Sequence, residues 1–239
     1  MTKVKLLGVA TILTLSAMVQ AGQASEVDAT LDTLHAAGEK LKTMAADVEL
    51  TTTDRGTGDF RVERGRIVLE RLADGDSRAR ITFNERVVGE KLMKVRRDFL
   101  LEQGTLVEQN EEKKTQVTRQ QRRPGEKVDL FKLGQGPFPL PIGQTKESVH
   151  EQFDVEAGKE KNIVLLTPKK DTALFDKFKS ITVTVDEKLG VPTTIATIDK
   201  RGVEKRSVVL KNVRMNENVS ADEFKLPPID PKTWRQVSE

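Results

Sequence analysis

The chain has 239 residues, 32% of them charged and only 4% aromatic, with one Trp, no Tyr and no Cys. The absence of cysteine excludes disulfides, thiolate catalysis, zinc–thiolate sites and a lipidated N-terminal cysteine. A formal net charge of +3, to which Lys3 and Lys5 contribute two, argues against a nucleic-acid-binding surface, which would be strongly basic.

Residues 1–21 read as a secretory signal, with Lys3 and Lys5 as a basic n-region, Leu6 to Val19 as an uncharged apolar run, and Val19-Gln20-Ala21 at the cleavage positions. The run is short for a bilayer span of about 20 residues. The expectation is therefore export to the periplasm, cleavage, and one domain over residues 22–239, with an uncleaved anchor as the alternative.

Glu26 to about Leu50 reads as an amphipathic helix, because Val27, Leu31, Leu34, Gly38, Leu41, Met44, Ala45 and Val48 follow helical spacing. From there to Gln121 the apolar period shortens to that of strands. Ile67 and Leu69 alternate with Arg66, Val68 and Glu70, and Ala79, Ile81 and Phe83 alternate with Arg78, Arg80, Thr82 and Asn84. Asp74-Gly75 between them suits a tight turn. Leu92 to Arg97 is weakly patterned, Phe99 and Leu101 resume an apolar face, and Thr115 to Arg119 can form another strand. Lys146 to Phe153 has the composition of a short helix. Strands are expected over Asn162 to Pro168, Ile181 to Val185, Val191 to Ile198 and Val203 to Val213, nine to eleven in all. The terminal F-K-L-P-P-I-D-P cannot continue a sheet and is expected along its rim. These elements fit a strongly curved antiparallel sheet with helices on its concave side.

Residues 131–143, F-K-L-G-Q-G-P-F-P-L-P-I-G, stand apart as a low-charge stretch with Lys132 as its only ion. Three prolines and three glycines exclude an ordinary helix or central strand, leaving an apolar loop that carries Phe131, Leu133, Phe138, Leu140 and Ile142. Such a loop has to pack over apolar surface.

Catalytic and metal-binding patterns do not emerge. His35 and His150 lack recognisable partner spacing, and the Gly56/Gly58 and Gly134/Gly136 pairs lack the strand-to-helix context of a phosphate loop. Pro137, Pro139 and Pro141 remove the N–H donors such a loop needs. The basic runs Lys94 to Arg97 and Arg119 to Arg123 are balanced by neighbouring acids. No catalytic residue, metal or cofactor is expected.

The order of elements resembles the LolA-like family of periplasmic lipoprotein carriers. The resemblance rests on an export signal and amphipathic helix, G-R-I-V-L-E-R at 65–71, L-L-T-P-K at 165–169, F-K-S-I-T-V-T-V-D at 178–186, D-K-R-G at 199–202 and L-K-N-V-R-M-N-E-N-V-S-A-D-E-F-K-L-P-P at 210–228. It implies a mainly β protein with helices (α+β), an antiparallel incomplete β-barrel closed by helices around an apolar cavity. It also implies a non-enzymatic, monomeric carrier. Such a carrier takes acylated lipoprotein or lipid cargo from an inner-membrane release complex to an outer-membrane acceptor. By position Arg71 resembles the arginine that holds the family's lid closed, although Leu72 stands where the family usually has proline. Leu69, Phe83, Phe99, Phe131, Phe138, Leu140 and Ile142 are the candidate cavity wall and lid, with Arg71 as the latch. Two alternatives stay open: a periplasmic sensing or interaction module on the same scaffold that reports to a membrane regulator, and a hydrolase of envelope lipid or glycan.

Overall fold

The computed structural model describes residues 13–122, 142–160 and 162–239, with side chains from Glu26 onward. Helix α1 (Leu13–Lys40) precedes strands β1 (Thr43–Asp54), β2 (Phe60–Arg71), β3 (Ser77–Val88), β4 (Lys91–Glu102), β5 (Thr105–Asn110) and β6 (Thr115–Gln120). Helix α2 (Lys146–Gln152) leads into β7 (Phe153–Ala157), β8 (Ile163–Pro168), β9 (Phe178–Asp186), β10 (Val191–Asp199) and β11 (Glu204–Met215). A one-turn 3-10 helix (Ala221–Phe224) and β12 (Arg235–Ser238) complete the chain.

The twelve strands make one open, curved sheet in the order β12-β6-β5-β4-β3-β2-β1-β11-β10-β9-β8-β7. This is a mainly β fold consistent with an incomplete barrel, and it bears out the expected class. The meander β1 to β6 and the meander β7 to β11 join where β1 pairs antiparallel with β11, Val48 opposite Leu210. Irregularities at Arg64/Gly65 and Phe83/Glu85 add local twist of the kind that bends a strand. Gly65 is required there, because a Cβ would lie 1.8 Å from the Thr82 carbonyl oxygen.

Three expectations are corrected. The helix ends at Lys40 rather than near Leu50, and residues 43–50 are strand. Met44, Ala46, Val48 and Leu50 face the main core at period two, while Ala45 packs on the opposite face. Met44 and Val48 happen to satisfy both periods, and three consecutive threonines after Leu50 favour the strand. The strand count among the described residues is twelve, not nine to eleven. The C-terminal segment crosses the outer face of the sheet and then returns as β12, paired in parallel with β6.

The inner face carries the main core. Val27, Leu31 and Leu34 of α1 pack with Ile67, Leu69, Ile81, Val164, Leu166, Ile181, Val183, Ile195 and Val208. Helix α1 rests on β7, β8 and β10, with α2 beside it. Lys146 binds Asp32 and His150 binds Asp28, each at 2.9 Å, tying the two helices together.

The outer face is organised by charge. Asp98 is 1% exposed, and accepts hydrogen bonds from Arg80 at 2.6 Å, Thr82 at 2.8 Å and Arg96 at 3.0 Å. Arg80 also donates to the carbonyls of Glu223 and Lys225, while Arg78 lies 4.1 Å from the ring centroid of Phe224. The C-terminal segment is thus pinned by arginines of β3. Burial pushes the Asp98 carboxyl upward, but the hydrogen bonds from Arg80, Thr82 and Arg96 outweigh it and hold the group below its ordinary value. A carboxyl lowered in the folded state contributes stability above its unfolded pKa, about 3.9, and loses it as pH falls through the folded value. Asp98→Asn should therefore lower unfolding free energy by about 3 kcal/mol at pH 7. In urea titrations the gap to the parent should shrink below about pH 4. A gap that stays constant with pH would show that the Asp98 charge does not hold the network.

Candidate functional site

Strand β2 places Ile67, Leu69 and Arg71 on the inner face. Leu69 is 2% exposed and belongs to the central core. Arg71 sits at the strand end, where its backbone N–H donates to Lys42 O at 2.7 Å and its Nη1 donates to the Gly38 carbonyl at 3.1 Å. Gly38 lies in the last turn of α1, where carbonyls lack intrahelical partners and a cation is favoured.

The last two residues of the 131–143 stretch, Ile142 and Gly143, come down on the same turn. Gly143 N–H donates to Leu34 O at 3.4 Å, and the Gly143 carbonyl lies 3.2 Å from His35 Nδ1. A Cβ on Gly38 would stand 2.2 Å from Gly143 N, so backbone meets backbone only because both residues are glycine. Gly143 also needs its left-handed φ of +81°. Ile142 is fully buried in the core. Thr145 then caps α2, accepting from Ser148 N–H at 3.2 Å. Arg71 and Ile142, far apart in sequence, therefore share one junction between β2, α1 and the end of the apolar stretch.

The second grouping lies further along the inner face. Phe83 is 1% exposed, Phe99 is half-buried, and their rings meet edge to face with centroids 6.3 Å apart at 87°. With Leu50 and Ile81 they wall a pocket of about 170 Å³, whose polar side is Thr52, Arg61, Glu63, Arg97 and Arg206. Glu63 is 1% exposed, with Arg86 and Arg97 each at 3.5 Å and Arg61 at 3.6 Å. The Arg97 guanidinium also lies 4.7 Å from the Phe99 ring centroid.

The structure thus brings Phe83 and Phe99 together, places Arg71 beside Ile142, and puts Leu69 in the core between them. Phe131, Phe138 and Leu140 lie outside the described residues. Sequence reasoning misses Glu63, Arg61 and Arg97, because a charged residue on an alternating strand reads as solvent-facing. Their signal is the parity of β2: Arg61 and Glu63 share the odd positions of Ile67 and Leu69. Gly38 falls on the buried face of the helix by spacing, but its contact with Gly143 leaves no local trace. His35 and His150 serve the junction and the α1–α2 contact.

Residues 116–227 match the family model of the outer membrane lipoprotein carrier protein LolA. No curated protein matches the chain. Among solved structures, the Pseudomonas aeruginosa MucA/MucB complex contains a chain 12% identical, with a TM-score of 0.48 over 84% of this chain and 61% of that one. An uncharacterized conserved protein from Thermus thermophilus gives 12% identity and a TM-score of 0.46 over 88% and 97%. A LolA superfamily protein from Nitrosomonas europaea gives 8% and 0.34 over 82% and 97%. The chain accordingly spans about 61% of the length of the first of these. The family match runs from β6 through α2 and the second meander to Pro227, so this part of the open, curved sheet is similar to the LolA family.

Proposed function

We propose that this chain is a non-enzymatic periplasmic carrier that holds the acyl chains of lipoproteins, or of another lipid, against the inner face of its sheet and delivers them towards the outer membrane. The observation that carries this reading is the Arg71 junction. A guanidinium on the sheet grips the end of α1 where Ile142 and Gly143, the end of the apolar 131–143 stretch, are seated over aliphatic core. An acyl carrier needs such an arrangement. Burying a chain gains about 0.8 kcal/mol per CH₂, on the order of 10 kcal/mol for a long chain before ordering costs. The same apolar surface has to be hidden when the carrier is empty. A cover held by a few polar contacts separates two states by a few kcal/mol, the range in which cargo can shift the balance.

The described pocket, about 170 Å³, is smaller than the roughly 300–1,000 Å³ of sites that enclose a drug-sized ligand. The described form is therefore the closed one in this scheme, and loading requires the α1 side to lift. No helix among the described residues is long and apolar enough to cross a membrane.

Protein purified from a native envelope should release acyl species on extraction, and the delipidated chain should take up a fluorescent fatty-acid analogue. Failure of both would remove the proposal, and capture of a membrane regulator in their place would favour the sensing alternative. Arg71→Leu loses a donor to the Gly38 carbonyl and should lower stability by about 1 kcal/mol. Because the lost contact belongs to the closed state, the same variant should bind the fatty-acid analogue about five- to tenfold more tightly. Weaker binding by a well-folded variant would show that Arg71 does not act as a latch.

A further inference from the structure

The polar end of the inner-face pocket has an unusual valence balance. Glu63 is 1% exposed and lines the pocket, yet among the described residues neither of its carboxylate oxygens accepts a hydrogen bond. The three guanidinium groups around it stand at 3.5–3.6 Å, within ion-pair range but outside hydrogen-bonding geometry. A buried acceptor normally finds a donor, and leaving one unmet costs about 1–3 kcal/mol. The surrounding cations are otherwise engaged. Arg86 pairs with Glu112 at 2.9 Å, Arg97 with Glu108 at 2.9 Å, and Arg206 with Glu204 at 2.6 Å. Arg86, which does not line the pocket, keeps its Nε without a hydrogen-bond acceptor among the described residues; of the groups that do line it, the valence left open is thus an acceptor, framed on its other side by Leu50, Ile81, Phe83 and Phe99.

We infer that this pocket is a subsite for the polar neck of an acylated ligand, with Glu63 accepting from a neutral donor, an amide N–H or a hydroxyl, next to the acyl chain. The inference rests on the acyl-carrier reading and adds its selectivity. Phe83 and Phe99 take the first methylenes, and Glu63 receives the donor at the point where chain meets headgroup. Arg61, whose side chain is 46% exposed and whose described ion pair is to Glu63 alone, is the group that moves aside to admit the neck. A free fatty acid, ionised at neutral pH, brings only acceptors to Glu63, and Arg97 and Arg206, the cations that could meet its charge, are already paired with Glu108 and Glu204. It fits this subsite poorly, as does a methyl ester, which has no donor.

The test is displacement of a fluorescent fatty-acid analogue from the delipidated full chain by four ligands of one chain length: the primary fatty amide, the monoacylglycerol, the methyl ester and the free acid. The two donor-bearing ligands should compete at least about tenfold better than the ester, the factor expected for a hydrogen bond to a charged group. Amide ahead of monoacylglycerol would identify an N-acyl neck as the natural fit, and the reverse a glyceryl neck. Glu63→Gln should reduce the donor preference several-fold while leaving the ester unchanged. The preference of the parent protein stands as a test even if that variant fails to fold. Equal competition by amide, monoacylglycerol and ester, or a lead for the free acid, would overturn the assignment of Glu63 while leaving the carrier reading intact. Absence of binding by all four and by the analogue would overturn the carrier reading itself.

Discussion

An open sheet with one apolar face has to be covered, and the division of that cover sets the design of this molecule. Helix α1 supplies the packed part, with Val27, Leu31 and Leu34 set into the core above β7, β8 and β10. Ile142 and Gly143 are seated on the same side by backbone contact between Gly38 and Gly143 and by Arg71 reaching the end of the helix. The first kind of contact is apolar and gains from area. The second is polar and local, and its net worth is only about 1 kcal/mol per bond in water. The proposed carrier, which needs one firm support and one reversible closure, is served by that contrast.

The two faces of the sheet use arginine in opposite ways. On the outer face Arg78 and Arg80 serve structure, bracketing Phe224 and the backbone beyond it, with Asp98 as their anchor. Three donors meet Asp98 within hydrogen-bond distance, so its burial is compensated. On the inner face the three arginines about Glu63 stop short of that geometry. The comparison is internal to one protein and matters for that reason: the same residue types complete one carboxylate and leave the other open.

Much of the sheet was legible because burial on one face imposes period two. Ile67, Leu69, Ala79, Ile81 and Phe83 could be assigned to one face from alternation alone, and the structure buries all five. The end of α1 was not legible, since Met44 and Val48 sit at positions that helix and strand both favour, and small Ala46 gives little weight to the correct register. Arg71 was found by position within a family pattern, whereas its partner Gly38 was not, because a carbonyl oxygen has no sequence signature. Glu63 was hidden for a related reason. Charge on a strand signals water unless the parity of the whole strand is followed through the bulge at Gly65.

The pairing of β1 with β11 carries a consequence for how the fold is reached. Each meander grows by short hairpins between neighbours in sequence, but the seam that unites them joins residues such as Leu50 and Val208, about two-thirds of the chain apart. Contacts of that separation form late, after the entropy of a long loop has been lost. Until then β1 presents an unpaired edge with Met44, Ala46 and Val48 on its apolar face, next to the strand that bears Arg71. A chain emerging N-terminus first holds that edge open until its last long strand arrives, so the segment that completes the inner wall is also the one whose arrival ends the period of greatest exposure to aggregation.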